Sequence, residues 1–208
     1  MEKYEDLDEM QLDALREIGN IGSGNAATAL SEMLNRQVDI TVPKIGILDY
    51  SGVAESLGGP EQLMVALMFQ LHGDVTGMIM FLLKKDFAHL ILQELMGIPF
   101  PENAELDEMS SSAIQEVGNI MAGSFANAIG EMTGLTIDIT VPDLCIDMAG
   151  AVLSAPAIYY ANISDKIICI EDEMSNGTTD AGTHVLMVPE VDSPVSYTHL
   201  TLPTILRV

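Results

Sequence analysis

Residues Leu7 to Pro43 align without a gap on Leu106 to Pro142, at a constant offset of 99 residues, and 19 of the 37 positions are identical. The matches include Leu7-Asp8-Glu9-Met10 against Leu106-Asp107-Glu108-Met109 and Asp39-Ile40-Thr41-Val42-Pro43 against Asp138-Ile139-Thr140-Val141-Pro142. A period this long is not that of a solenoid. It predicts two similar halves packed as a pseudo-twofold pair around one shared core. The expected fold class is α+β, an internally duplicated single domain spanning 1–192 with pseudo-repeats 1–98 and 99–192.

Each repeat opens with a helical pattern. With about 100° per residue and Leu15 at zero, Leu15, Ile18 and Gly22 gather on one side and Ala26, Ala29 and Met33 continue it, the spacing of a buried stripe. Asp8 is the expected N-cap, with Gln11 at the capping-box position. The helix should run to about Leu34, and the β-branched stretch Val38 to Val42 reads as a strand entry. Glycine in a helix interior costs about 1 kcal/mol against alanine, so Gly19, Gly22 and Gly24, with Gly118 and Gly123 in the second copy, predict close approach of another backbone. Downstream, Leu63 to Leu71 and Thr76 to Leu83 read as a hairpin, Asp86 to Met96 as an amphipathic helix ended by Gly97 and Pro99, and Pro99 to Glu105 as the linker between halves. The second half should repeat the hairpin with strands Lys166 to Glu171 and His184 to Val188, separated by a polar loop from Asp172 to Gly182.

Composition narrows the function. Thirty-one acidic against eight basic residues leave a formal net charge of −23. No basic stripe is available to neutralise a phosphate backbone or to settle on an anionic bilayer, so nucleic acid and membrane are not expected as ligands. The acidic start is unlike a secretory leader, and no run reaches the 18 or so apolar residues of a spanning helix, so a cytoplasmic protein is expected. Cys145 and Cys169 are the two cysteines and form no CxxC, and four histidines stand singly, so no metal cluster is expected. The string Gly19-Asn20-Ile21-Gly22-Ser23-Gly24 lies inside a helical pattern rather than between a strand and a helix, which argues against a nucleotide loop.

Opposite the buried stripe, Asp13, Glu17 and Asn20 fall at about 160°, 200° and 140°, a narrow polar face. In the second copy Ser112, Glu116 and Asn119 hold the same places. Residues three or four apart on a helix are neighbours, so each Glu and Asn can act on one bound group. The pattern Asp13-x3-Glu17-x2-Asn20-x22-Pro43, repeated as Ser112-x3-Glu116-x2-Asn119-x22-Pro142, resembles the signature of the CheC family of chemotaxis phosphatases, a group related to CheX and FliY. The likeness covers roughly residues 1 to 190.

That resemblance implies two exposed active-site helices that hydrolyse the aspartyl phosphate of a CheY-type response regulator. Asn20 and Asn119 would orient the attacking water, Glu17 and Glu116 would pair with the regulator's lysine, and Asp13, Ser112, Pro43 and Pro142 would support them. No metal or cofactor of its own is implied, the regulator supplying Mg²⁺. The other reading is a non-catalytic chemotaxis or flagellar-switch adaptor, and the receptor deamidase CheD is a further partner the family suggests. A monomer is expected, because duplication already provides the twofold interface within one chain.

The correspondence between halves stops near residue 192. Where the first half has its closing helix, residues 193–208 hold Pro194 and Pro203 and no acid. They read as an atypical tail, either partner-binding or, as preferred, non-native sequence whose presence in place of a helix would leave apolar surface exposed on the second half.

Overall fold

The computed structural model describes residues 9–160, 166–175 and 180–189. Helix α1 (Glu9–Leu34) leads through the short strand β1 (Asp39–Ile40) and β2 (Lys44–Asp49) to helix α2 (Tyr50–Ser56), strands β3 (Leu63–Gly73) and β4 (Gly77–Lys84), and helix α3 (Lys85–Met96). The second half runs in the same order: α4 (Glu108–Thr133), β5 (Ile137–Ile139), β6 (Asp143–Met148), α5 (Ala149–Tyr159), β7 (Lys166–Ser175) and β8 (Asp180–Pro189). The fold is α+β and internally duplicated, as the repeat predicts.

All pairings in the eight-stranded sheet are antiparallel, in the order β1-β7-β8-β4-β3-β5, with β2 also on β7 and β6 on β3. The halves therefore interlock. β1 and β2 of the first repeat complete the ladder of the second repeat's β7, and β5 and β6 of the second complete that of β3. The join runs down the middle between β4 and β8, with Phe81 opposite Val185. One half cannot be removed without stripping a sheet edge from the other.

Both faces of the sheet are covered. α1, α3 and α4 bury one face through Leu15, Ile18, Phe87, Ile91, Ile114 and Phe125, while α2 with its C-cap Leu57, and α5, bury the other, with Val53, Val152 and Leu153 beside Leu57. A strand covered on both sides has no reason to alternate, which explains the unbroken apolar run Met78 to Leu83, buried throughout. Phe125 of α4 meets Phe81 of β4 edge-on at 5.7 Å, and Phe81 meets Phe69 of β3 at 6.1 Å, which ties the helical layer to the sheet centre.

The glycines of the long helices do make room, but for side chains rather than for backbone as expected. A Cβ on Gly22 would lie 2.7 Å from the Phe125 ring, one on Gly19 would meet Ile45 and one on Gly118 would meet Leu67. Gly24 and Gly123 have nothing within 4 Å of that position. The second hairpin is also longer than the sequence pattern suggests. The mostly polar residues Asp172 to Ser175 continue β7 because β8 pairs with all four and β1 pairs with Met174 and Ser175 on the other side. Expected β-structure from Val38 to Val42 shrinks to Asp39–Ile40, and α2, α5, β2 and β6 were not legible from periodicity. The Asp8 cap and residues 193–208 lie outside the described residues. In the second copy the equivalent Asp107 caps α4, its carboxylate accepting from the Ser110 backbone N–H at 2.7 Å.

Candidate active site

Each long helix is fastened along one side and bare along the other. On α1, Leu15 and Ile18 are buried while Asp13, Glu17 and Asn20 are exposed; on α4, Ile114 and Val117 are buried while Ser112, Glu116 and Asn119 are exposed. Helical periodicity thus sets Glu17 beside Asn20, and Glu116 beside Asn119, on outward ridges whose backbones are held by the core. Helical rigidity is reinforced in α4 at both ends. Asp107 closes its start, with the Asp107 carboxyl held below the usual carboxylate range by its hydrogen bonds to Ser110. Gly134 closes its end in a left-handed conformation at φ 73°, donating its N–H to the Gly130 carbonyl at 2.8 Å.

The two ridges are not identical. Asp13 is ion-paired with Arg16 one turn along α1, both side chains more than half exposed. Ser112 instead donates its hydroxyl to the Glu108 carbonyl at 2.8 Å within α4. Pro43, between β1 and β2, is half-buried, whereas Pro142, between β5 and β6, is buried. The Gln115 side chain donates to the Pro142 carbonyl at 3.0 Å and moors that loop to the helix beside Glu116. Gln115 was not singled out by sequence reasoning. The signal was present as a difference between copies, since the repeat places Arg16 where the second copy has Gln115.

Side chains on an outward helical ridge cannot enclose a small substrate. The arrangement offers a carboxylate, which accepts hydrogen bonds or pairs with a cation, next to a carboxamide, which both donates and accepts. Such groups can act on a reacting centre only if the other molecule brings the pocket. A cleft of about 340 Å³ lined by Tyr50, Ala54, Pro60, Gly150, Leu153 and Ser154 lies between α2 and α5, on the opposite face of the sheet. Among the described residues no group of three or more His, Cys, Asp or Glu side chains is arranged to hold a metal ion, and no helix is long and apolar enough to cross a membrane. Both cysteines are free.

The model of the CheC-like family matches residues 10–47 and again 109–146, each match holding one of the ridges. The chain is 32% identical over 197 residues to the CheY-P phosphatase CheC of Bacillus subtilis (strain 168), covering 93% of this chain and 94% of that one. It is 34% identical over 141 residues to the flagellar motor switch phosphatase FliY of the same organism, a stretch that makes up 67% of this chain and 36% of FliY. Among solved structures, Thermotoga maritima FliY superposes with a TM-score of 0.72 at 27% identity, covering 93% of this chain and 96% of that one. With the family's element present twice and a CheC matched over nearly its whole length, the chain belongs to the CheC-like family.

Proposed function

We propose that this protein hydrolyses the aspartyl phosphate of a CheY-type response regulator, using Glu17 with Asn20 as one site and Glu116 with Asn119 as a second. The observation that carries the reading is the outward presentation of a Glu–Asn pair on each of two core-anchored helices, in register with the duplication. The relationship to a CheY-P phosphatase over nearly the full chain supports it.

The chemistry asks little of the phosphatase. An aspartyl phosphate is a mixed anhydride, and the regulator holds it in its own pocket with Mg²⁺, which belongs to the substrate. When a ridge enters that pocket, the Asn20 or Asn119 carboxamide accepts a hydrogen bond from a water and fixes it in line with the P–O bond to the aspartyl oxygen. Water oxygen forms the new bond to phosphorus, the aspartate leaves as a carboxylate, and the water's protons depart with inorganic phosphate and solvent. The role parallels the water-positioning glutamine of GTPases, and its benefit is orientation. Glu17 or Glu116 pairs with the regulator's active-site lysine and sets the depth and angle of entry. Asp13 and Ser112, one turn before each glutamate, and Pro43 and Pro142, in the loops that follow the helices, take supporting places, and this chain needs no cofactor of its own.

The test is to add the purified protein to a phosphorylated CheY-type regulator with Mg²⁺ and follow loss of the phosphoryl label. Decay faster than the regulator's own is the expected result. Binding of the regulator with no change in its decay would overturn the phosphatase reading and leave an adaptor.

A further inference from the structure

Four exposed apolar side chains lie in the two repeated segments that carry the Glu–Asn pairs, and the repeat relates them two by two. Met10 is 61% and Met109 71% exposed, while Val42 is 81% and Val141 82% exposed, each pair separated by the 99-residue offset. Three other large apolar side chains among the described residues are comparably exposed, Met148, Ile158 and Tyr159, and none of them lies in the repeated segment. Scattered apolar exposure is ordinary on a protein surface. Exposure of the same residue types at the same places in both copies is not scattered.

Helical periodicity places the methionines, and a hydrogen bond in the second copy places the loop. On the wheel that puts Glu17 at about 200° and Asn20 at about 140°, Met10 falls at about 220° and Arg16 at about 100°. Methionine therefore borders the glutamate side, two turns toward the helix start. In the second copy the asparagine side is bordered by Gln115, whose bond to the Pro142 carbonyl brings the loop carrying Val141 against that flank. From Met10 to Asn20 the ridge is about 15 Å long, a span suited to a small domain rather than to a metabolite.

We infer that Met10 with Val42, and Met109 with Val141, form an apolar rim on either side of each Glu–Asn pair, and that this rim docks the phosphorylated receiver domain. The inference rests on the proposed function and adds the residues that set affinity for its substrate. A carboxylate and a carboxamide exchange water for protein partners with small net gain, so they orient a bound regulator better than they retain it. Retention needs apolar area removed from water around them. Methionine, flexible and polarisable, suits a surface that binds, turns over and releases.

The experiment compares the wild type with Met10→Gln/Val42→Thr/Met109→Gln/Val141→Thr, which replaces the rim by neutral polar side chains of similar size, and with Met10→Leu/Val42→Ile/Met109→Leu/Val141→Ile. Because all four positions are exposed, thermal unfolding should be little changed. The polar variant is expected to raise KM for the phosphorylated regulator about tenfold with kcat within about twofold, and to weaken regulator binding in a direct titration by the same factor. The apolar variant should retain wild-type values. Unchanged KM and unchanged regulator binding in the polar variant would overturn the inference. So would a wild-type dimer that the polar variant dissolves without loss of regulator affinity, since the rim would then serve a second copy of this chain. Failure of the phosphatase reading registers separately, as wild-type protein that leaves the decay unaccelerated, and the titration still scores the rim.

Discussion

Gln115 donates a hydrogen bond to the carbonyl oxygen of Pro142 at 3.0 Å, joining α4 to the β5–β6 loop across 27 residues of chain. At the equivalent place in the first repeat Arg16 turns along its own helix to Asp13. A side chain one position before Glu116 thus couples the second ridge to its loop, and the first ridge uses that position otherwise.

This asymmetry makes Gln115 a positioning residue for the second site. With the first site silenced by Asn20→Ala, Gln115→Ala is expected to slow the remaining reaction about three- to tenfold, the worth of one net hydrogen bond. The loss should fall in kcat at saturating regulator, with melting temperature within a degree or two. An equal rate in the two backgrounds would show that the loop is held by other contacts.

The asparagines themselves give the sharper result. Asn20→Ala or Asn119→Ala alone should leave part of the activity, while the double substitution should reduce it on the order of 100-fold or more, toward the regulator's own decay. Both residues are exposed, so the melting temperature should not fall. Full activity in the double variant, measured by loss of phosphoryl label, would assign water positioning to another group.

Two glycines of one helix should respond in opposite directions. At Gly22 an added methyl would overlap the Phe125 ring, which is itself fully buried and edge-on to Phe81, so Gly22→Ala should destabilise the fold by about 1–3 kcal/mol. At Gly24 nothing lies within 4 Å of the new Cβ. Gly24→Ala should therefore stabilise by about 0.5–1 kcal/mol through helix propensity alone. Urea unfolding of the two variants checks both signs.

These glycines also show where sequence reading stops. The cost of glycine in a helix interior pointed to a close neighbour at Gly19, Gly22 and Gly118, where one is found, and equally at Gly24 and Gly123, where none is. The neighbours, Ile45, Phe125 and Leu67, come from three different elements and are set by tertiary packing. The duplication, the long helices, the first hairpin and the outward direction of Glu17, Asn20, Glu116 and Asn119 follow from local periodicity and were readable. The exchange of β1 and β2 onto β7, and of β5 and β6 onto β3, leaves no local trace, since a strand's pattern reports which face is buried and not which neighbour it pairs with. α5 was hidden for a related reason. Apolar residues line nearly its whole circumference, Ile158 and Tyr159 among the exposed ones, and Pro156 sits inside it, so it shows no clean stripe.

Acid sensitivity should centre on His184. It is 1% exposed, and neither ring nitrogen has a hydrogen-bond partner. It faces Leu82 of β4 on one side and Glu171 of β7 on the other, with Lys84 of β4 and Lys44 of β2 nearby. Burial pushes its pKa below the ordinary 6.5, the two lysines push the same way, and Glu171 opposes them without prevailing. Above 6.5 the ring is neutral in folded and unfolded chains alike and stability is independent of its titration. As pH falls below 6.5 the unfolded chain takes up a proton that the folded chain refuses, so stability drops, by no more than about 1.4 kcal/mol per pH unit, until the folded-state pKa is passed. Asp49 and Asp107, whose carboxyls are held below 3.8, contribute stability that is lost only in a more acidic window, as pH falls through their depressed values. Lowering the pH from about 7.5 to about 5 should therefore reduce the melting temperature by a few degrees, and His184→Leu, apolar like the neighbouring Leu82 and Leu186, should flatten that dependence. An unchanged slope in the leucine variant would place the acid-sensitive proton elsewhere.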